Sequence, residues 1–261
     1  MSNENVPVPT AKPRRKESWT EIVKTIAVAL LIAGGIRTAA AQPFNIPSGS
    51  MKDTLLVGDY LFVSKLSYGY SRYSFPFGLV PFNGRIFGAQ PKRGDVVVFK
   101  LPRDTEKDYI KRILGLPGDE IYVRNGIVHI NGKAVPRERA GNYTGPEEDG
   151  RPIPRYKETL PEGVSYYVLD CEPDGRFDNT PVYVVPPGHF FVMGDNRDNS
   201  IDSPEAPQRF GFGFVPYENL VGRAEIIFFS AAVDDPDAFR LTSPWTWPFD
   251  IRWRRLFSLV R

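Results

Sequence analysis

Two serines flank a glycine in the segment PFNIPSGSM (43–51). Gly49 allows a tight backbone turn, so that one hydroxyl can face a reacting carbonyl while the other lies beside it. A serine hydroxyl is a poor nucleophile until a neighbouring base accepts its proton. Short Ser-Gly-Ser sequences also occur in simple turns. Ser50 is therefore a candidate nucleophile with Ser48 beside it, provided that the chain also supplies a base.

Lys111 is the preferred base. A lysine can accept a proton near neutral pH where burial in apolar surroundings lowers its pKa. In the segment YIKRIL (109–114), strand alternation puts Tyr109, Lys111 and Ile113 on one face. If that face points to the core, the amine loses its water, whereas an edge strand would leave it in solvent, the commoner position of lysine.

Other residues are weaker candidates for the base. Lys52 shares a face with Ser50 if the chain is extended there. Its neighbour Asp53 and its position in a loop should keep it hydrated and charged, so it ranks second. The histidines His129 and His189 lie in strand-like segments without an Asp or Ser partner in their own motifs. Both are therefore predicted to be structural.

A dense run of short polar side chains, GDNRDNSIDS (194–203), follows a strand-like segment. Such a run can form a turn and orient a catalytic lysine. The alternatives are a solvated loop or a calcium-binding turn, because Asp195, Asp198 and Asp202 offer oxygen ligands. An EF-hand loop needs glycine at its sixth position and glutamate at its twelfth. This sequence has Ser200 and Ala206 there, so that template fails.

Short segments rich in β-branched and aromatic residues, bounded by Gly, Pro, Asn or Asp, predict strands. They are DYLFVSK (59–65), DVVVFK (95–100), DYIKRIL (108–114), EIYVRNGIVHING (120–132), VSYYVL (164–169), HFFVMG (189–194) and GRAEIIFF (222–229). Asn125 and Gly126 predict a two-residue hairpin turn, because both tolerate positive φ. The fold class is therefore mainly β, an antiparallel barrel-like or sandwich-like body. Residues 67–91 and 136–163 are predicted as surface loops.

An apolar stretch at residues 22–41 precedes this body and contains only Lys24 and Arg37 as charged residues. A helix of this length spans about 30 Å, enough to cross a bilayer if the terminal charges reach the headgroups. Trp19 suits the interface, and the basic tail, residues 1–18, predicts a cytoplasmic N-terminus and an exported body. A cleavable signal peptide fits the same stretch, since it ends in small residues. This stretch alone leaves both interpretations open.

Composition narrows the classes of function. The 33 basic and 31 acidic side chains give a net charge of +2, so no strong field for nucleic acid is indicated. The 261 residues, 41% of them hydrophobic, suffice for a sizeable core in one or two domains. The single cysteine, Cys171, excludes an internal disulfide and a zinc site of several thiolates. It is expected to be buried and inert.

Taken in order, these segments resemble bacterial type I signal peptidases, the Ser-Lys leader peptidases. The matching stretches are PFNIPSGSMKDTLLVGDYLFVSK (43–65), RGDVVVFK (93–100), DYIKRILGLPGD (108–119), GDNRDNSIDS (194–203) and FVPYENLVGRA (214–224). The similarity covers most of residues 19–230. It implies an uncleaved single-pass anchor in the bacterial cytoplasmic membrane, with the catalytic domain on the exported side. The expected segments are a cytoplasmic tail (1–18), an anchor helix (19–41), a peptidase domain (42–230) and a C-terminal tail (231–261).

The resemblance also implies a role for each site residue. Ser50 attacks the scissile carbonyl to form an acyl-enzyme, and neutral Lys111 takes the hydroxyl proton and later activates water. The Ser48 hydroxyl and the Ser50 N–H match oxyanion donors, and Ser200 matches the residue that orients the lysine. The residues that match shallow pockets for small side chains are Phe44, Ile46, Met51, Leu55, Tyr109 and Ile110. The residues expected to support the site are Asp195, Asn199 and Asp202.

The substrates implied are secretory precursors cut after A-x-A-like sites. The expected partners are these precursors and membrane lipid, with no nucleic acid, no metal and no cofactor, and the chain acting as a monomer in the bilayer. Two other functions fit the same residues. One is a Ser-Lys protease with a single dedicated client, and the other is a catalytically silent, membrane-tethered protein that holds extended peptides.

Two regions depart from the family pattern or extend beyond it. An arginine usually follows the Asp-Ser at the end of the polar run, whereas Pro204 stands here and residues 204–208 resemble a small insertion before Arg209. Some relatives also carry a disulfide that one cysteine cannot form. The segment PWTWPFDIRWRRLF (244–257) mixes tryptophan with arginine. Its aromatic residues could rest on a membrane surface or cap the β core.

Overall fold

The computed structural model describes residues 19–39, 41–74, 82, 84–143, 152–172, 174–203, 211–234, 238 and 243–261. The predicted cytoplasmic tail and the predicted insertion with Arg209 lie outside these residues. Two compact units divide the chain, one ending at Arg37 and the other beginning at Thr38.

Among the described residues, one α-helix, α1, is present, over Trp19–Ala39. The run of Ala, Ile, Leu and Val without proline accounts for this helix, although it contains Gly34 and Gly35. Within the described residues, no helix combines the length and the hydropathy needed to cross a membrane.

The second unit is built on an eight-stranded antiparallel sheet, as the alternating segments predict. Its strands are β1 (Ala41–Asn45), β2 (Asp59–Ser64), β3 (Val96–Leu101), β4 (Asp104–Gly115), β12 (His189–Met193), β13 (Val215–Pro216), β14 (Leu220–Ser230) and β15 (Ser258–Leu259). Their order is β1-β2-β14-β3-β4-β12-β13, and β15 pairs with β14. The mainly β, antiparallel fold class is confirmed.

A four-stranded sheet carries the predicted hairpin. Its strands, in spatial order, are β11 (Tyr183–Val184), β5 (Glu120–Arg124), β6 (Ile127–Ile130) and β7 (Lys133–Ala134). Asn125 and Gly126 join β5 to β6 with φ values of 48° and 73°. Both angles lie in the left-handed region that a type I′ turn requires, so the predicted hairpin is confirmed.

A three-stranded sheet corrects the prediction of loops over residues 136–163. β9 (Pro154–Thr159) lies between β8 (Arg137–Asn142) and β10 (Ser165–Leu169) and pairs with both. β8 and β9 lack apolar alternation, since their charged side chains lie on aromatic rings instead. The Arg137 guanidinium lies 3.9 Å from the centre of the Tyr156 ring, and that of Arg155 lies 3.6 Å from the Tyr167 ring. Cation–π contacts of this kind leave no hydrophobic periodicity in the sequence.

The strands are held in place by hydrophobic clusters, of which the three largest bear on the site. One lies around β5, β6 and β10. The other two include alternate residues of β3, with Val96 and Val98 in one and Val97 and Phe99 in the other. The central strand is therefore buried on both faces, and its neighbour β4 is held rigidly.

Cys171 and the C-terminal tail differ from what the sequence predicts. Cys171 is exposed rather than buried, because it lies in the connection after β10 and not in a strand. In the tail, Arg255 pairs with the buried Asp59, and the short strand β15 joins the main sheet. The backbone of the tail is thus docked, yet the Trp245 and Phe249 side chains are 71% and 85% exposed. These two aromatic residues do not cap the core.

Candidate active site

Ser50 lies in a short 3-10 helix, Gly49–Met51, that follows the edge strand β1. The Met51 side chain is fully buried and anchors this turn, while Ser50 is partly exposed. The preceding Ser48 has an extended backbone, and its Oγ atom lies 3.4 Å from the Ser50 Oγ atom. The turn therefore presents two neighbouring hydroxyl groups to solvent.

Lys111 reaches Ser50 from β4, with its Nζ atom 2.6 Å from the Ser50 Oγ atom. Lys111 is 2% exposed and pairs with Val97 on β3. Tyr109 lies on the same face of β4 as Lys111, with the centre of its ring 5.9 Å from the Lys111 Nζ atom. Burial lowers the pKa of Lys111, against the opposing effect of the Asp202 and Asp195 carboxyl groups. A desolvated amine in contact with a hydroxyl group is suited to accept its proton.

Lys52 is buried rather than hydrated, which corrects the expectation from its loop position. Lys52 is only 3% exposed, and its backbone N–H donates to the Gly49 carbonyl at 3.0 Å. Met51 and Leu55, both fully buried, draw this segment onto the body of the protein. Burial alone therefore does not distinguish the two lysines, but Lys111 has its Nζ atom within 2.6 Å of the Ser50 Oγ atom.

The polar turn, residues 194–203, holds the Ser50 turn in place. Asn196 donates its backbone N–H to the Ser50 carbonyl and its side-chain Nδ2 to the Gly49 carbonyl, both at 3.1 Å. Asp195 accepts two hydrogen bonds from the Arg112 guanidinium, at 2.9 and 2.7 Å, and both side chains are 1% exposed. Arg112 directly follows Lys111, so this ion pair ties the lysine strand to the polar turn.

Ser200 and Asp202 form a second set of contacts in the polar turn. The Ser200 hydroxyl donates to the Asp202 Oδ1 atom at 2.5 Å, and the Gly194 N–H donates to the same oxygen at 2.9 Å. Asp202 is fully buried, and its Oδ2 atom has no hydrogen-bond partner in the part of the chain that the structure describes. Burial raises the pKa of Asp202, although the Lys111 charge opposes this. The Ser200 hydroxyl therefore contacts Asp202 and not the lysine, and the negative charge of Asp202 raises the pKa of Lys111.

A cavity of about 730 Å³ opens beside Ser50 and Lys111. Four predicted pocket residues line it: Phe44, Ile46, Tyr109 and Ile110. Ser48, Ser200 and Asn199 line it as well. The cavity therefore brings the candidate nucleophile, base and apolar wall together.

Met51 and Leu55 do not line this cavity. Both are fully buried in the cluster that contains Val63 and Val96. The segment after Ser50 turns inward, so its apolar side chains complete the core. These two residues stabilise the Ser50 turn and do not form the cavity wall.

The cavity also has lining residues that the sequence did not assign to it. They are Asn45, Pro47, Val98, Asp108, Glu172, Arg176, Phe177, Ile201 and Asp198, the last of which was considered only as a calcium ligand. Val98 and Asp108 could have been found from the sequence, because both lie close to Lys111. Asp108 is on the same strand, and Val98 follows Val97, the partner of Lys111 on β3. Glu172, Arg176 and Phe177 carry no such signal, because they come from the connection after β10.

One group of carboxylates in the described residues could approach a cation: Asp170, Asp178 and Asp198, whose oxygen atoms lie within 4.8 Å of one another. Arg137 already pairs with Asp170, and Asp198 accepts backbone N–H groups. These contacts supply the positive partners that clustered carboxylates need.

The chain is similar to known proteins over most of its length. The family described as "Signal peptidase, peptidase S26" matches residues 19–229. A signal peptidase I from Rickettsia akari (strain Hartford) is 43% identical, covering 90% of this chain and 86% of that protein. One from Rickettsia canadensis (strain McKiel) is 44% identical over 83% and 81%. A crystal structure of a signal peptidase I from Enterococcus faecalis V583 is 26% identical, covering 52% of this chain and 97% of that one, with a TM-score of 0.30.

Proposed function

The chain belongs to the signal peptidase family, peptidase S26, whose members are serine peptidases, and we propose that it removes signal peptides with Ser50 as nucleophile and Lys111 as general base. The observation that carries this proposal is the 2.6 Å contact between the buried Lys111 amine and the Ser50 hydroxyl. Such a distance permits direct proton transfer.

The proposed reaction has two halves. Neutral Lys111 takes the proton from Ser50 Oγ as this oxygen attacks the scissile carbonyl carbon. The carbon–nitrogen bond then breaks, the leaving amine takes the proton from Lys111, and an acyl-enzyme remains. In the second half, Lys111 removes a proton from water, whose oxygen attacks the acyl carbon. The bond to Ser50 Oγ breaks, and this oxygen regains a proton from Lys111.

Ser48 and the Ser50 amide are the proposed oxyanion donors. The Ser48 hydroxyl lies beside the attacking oxygen, at 3.4 Å. The Ser50 N–H lies in the first turn of its 3-10 helix, where amide groups lack an acceptor within the helix. A donor aimed at a developing oxyanion lowers the barrier by about 3 kcal/mol.

The carboxyl groups of Asp202 and Asp195 are proposed to tune the base. Ser200 and the Gly194 N–H hold the Asp202 carboxyl group, which raises the pKa of Lys111 against the effect of burial. Asp195 acts in the same direction. The proposed role of the polar turn is therefore to set the pKa of Lys111, with Ser200 acting through Asp202.

The apolar wall is proposed to select small side chains at A-x-A-like sites. Ile46 is 3% exposed, and Phe44, Tyr109 and Ile110 are each half-buried where they line the cavity. Rigid, packed walls reject larger groups by overlap, because the core behind them cannot move. Small residues one and three positions before the cut fit such a wall.

We also propose that residues 19–41 anchor the chain in the bacterial cytoplasmic membrane as one span. The apolar stretch 22–41, the interfacial Trp19 and the basic tail support this orientation, with the peptidase body on the exported side. The proposed partners are precursors and lipid, and the proposed state is a monomer. Resistance of the membrane-bound chain to alkaline carbonate extraction tests the anchor, and release into the supernatant would contradict it.

The decisive experiment measures cleavage of a defined A-x-A precursor by the detergent-solubilised chain. Both products should appear with masses that place the cut after the second alanine. Ser50→Ala should abolish cleavage, while Ser165→Ala, at an exposed serine outside the cavity, should retain it. Cleavage by Ser50→Ala at the normal rate would overturn the assignment. Retained precursor binding by Ser50→Ala would separate loss of chemistry from loss of folding.

A further inference from the structure

The cavity has a charged part that the proposed mechanism does not use. Glu172, Arg176 and Phe177 line it together with Asp198. The first three come from the loop 171–178, described except for residue 173, which connects β10 to β11. Glu172 and Arg176 are exposed, so both charges lie where a substrate can reach them.

Asp198 fixes this loop against the polar turn. Its Oδ2 atom accepts the backbone N–H groups of Cys171 at 2.6 Å and Glu172 at 3.0 Å. Gly175 packs so closely that a β-carbon there would lie 2.7 Å from the Asp198 Oδ1 atom. Its own N–H donates to the Asp178 Oδ2 atom at 2.7 Å. The position of the loop is therefore set by the same turn that carries Ser200.

Negative charge predominates among the lining residues. Asp108, Glu172 and Asp198 supply three carboxyl groups against one guanidinium, that of Arg176, while burial lowers the pKa of Lys111. Lys100 pairs with Asp108 at 3.1 Å, and the two amides occupy Asp198. Among the described lining residues, Glu172 is thus the exposed carboxylate that has neither a lysine partner nor backbone N–H donors.

We infer that the loop 171–178 is a specificity element in which Glu172 favours basic side chains of the substrate and disfavours acidic ones. This inference rests on the proposed function, since it concerns the same cavity. The small-residue wall reads two positions of an A-x-A-like site. Glu172 is therefore expected to interact with the substrate side chains that do not contact this wall. These are the side chains two residues before the cut and one residue after it. Exposed charges at the rim of a site contribute chiefly to such discrimination.

The test uses peptide substrates that differ only by Lys, Gln or Glu at one of these two positions. At low salt, the full chain should cleave the Lys peptide with a kcat/KM about two- to five-fold above that of the Glu peptide at one position or both. Glu172→Lys should reverse the order there, and added salt should reduce the difference. Glu138→Lys, at an exposed site on β8 outside the cavity, should change nothing.

Comparing Asp198→Ala with Asp198→Asn separates the clamp from the charge. Both variants leave Glu172 in place and remove the Asp198 charge, but only alanine removes the acceptor of two loop amides, so the preference for Lys over Glu should shrink more in Asp198→Ala. An equal preference in the two variants would overturn the clamp. An unchanged ratio in Glu172→Lys at both positions would overturn the inference, while normal cleavage of the Gln peptide would leave the proposed function standing. Failure of the unmodified chain to cleave the Gln peptide would overturn both.

Discussion

The Ser50 carbonyl oxygen lies only 2.4 Å from where a β-carbon on Gly194 would stand. The Ser200 hydroxyl oxygen lies 2.3 Å from the same point. Both distances are shorter than any side chain tolerates, so glycine is required where the polar turn meets the Ser50 turn. This close approach places the candidate nucleophile next to the residues proposed to tune its base.

Gly194→Ala should therefore displace Ser50 from Lys111 and reduce kcat by at least about a hundredfold, since misplacement of a reacting group by 1 Å costs about this much. The measurement is kcat per folded molecule, with the thermal midpoint recorded beside it. Gly222→Ala is the matched control, because its β-carbon would lie 2.3 Å from the Ser64 carbonyl oxygen on β2, outside the cavity. Both variants should lose stability, and equal losses of kcat would refute the positional argument.

Lys111→Met should reduce cleavage about a thousandfold, within the range that general bases contribute. Lys52→Met should retain cleavage, since both lysines are buried but the Ser50 contact belongs to Lys111. Methionine keeps the length of the side chain, so packing changes little in either variant. The initial rate on one precursor, normalised to folded protein by circular dichroism, compares them. The reverse ranking would assign the base to Lys52.

The pH profile of kcat/KM should rise as pH rises through the pKa of Lys111, because only the neutral amine accepts a proton. This limb should lie below the ordinary lysine value of about 10.4, since burial lowers the pKa. Asp202 raises the pKa of Lys111, so Asp202→Asn should move the limb to lower pH. Asp104→Asn, at the start of the same strand, should not move it. A shift of the Asp202→Asn limb to higher pH would contradict the proposed coupling.

Glu158 should be essential for stability although it lies in a stretch predicted as loop. Its carboxylate accepts hydrogen bonds from Arg197 at 3.0 and 2.5 Å, and the two side chains are 1% and 7% exposed. Glu158→Ala leaves a buried guanidinium without its partner and should cost about 3–5 kcal/mol in unfolding free energy. Urea denaturation measures this cost.

Two variants calibrate that measurement. Replacing Arg197 by Met in the Glu158→Ala background should recover part of the loss, because no buried charge then remains. Glu138→Ala, exposed on the neighbouring strand β8, should stay within about 0.5 kcal/mol of the unmodified chain. A Glu158→Ala cost as small as this would show that the pair is not buried in solution.

The exposed aromatic residues of the C-terminal tail should contact lipid. Trp245→Ser combined with Phe249→Ser should reduce binding of the chain starting at Thr38 to phosphatidylglycerol vesicles severalfold, because indole and phenyl rings favour the headgroup layer. Co-sedimentation measures the bound fraction. Val182→Ser removes an exposed apolar side chain elsewhere, 53% exposed, and should leave binding unchanged. Equal binding by all three proteins would show that the tail does not contact lipid.

Local chemistry in the sequence determined much of this protein. The alternating segments, bounded by turn residues, specified most strands of the main sheet, and Asn125-Gly126 specified the hairpin turn of the four-stranded sheet. Ser50 and Lys111 were recognisable as a candidate nucleophile and a candidate base. A serine in a glycine turn needs a base before it can attack, and Lys111 shares one face of its strand with the apolar side chains of Tyr109 and Ile113. These properties depend on near neighbours, which a sequence displays directly.

Only the tertiary structure decided which surfaces meet. It brought Lys111 to Ser50 across 61 residues of chain, buried Lys52, and turned Met51 and Leu55 into the core. It also placed Glu172 and Arg176 in the cavity and formed strands from the charged segments around Tyr156. Spacing along a strand shows which residues share a face, but not what that face packs against. That choice depends on burial and ion pairing between segments far apart in the chain, which no local pattern records.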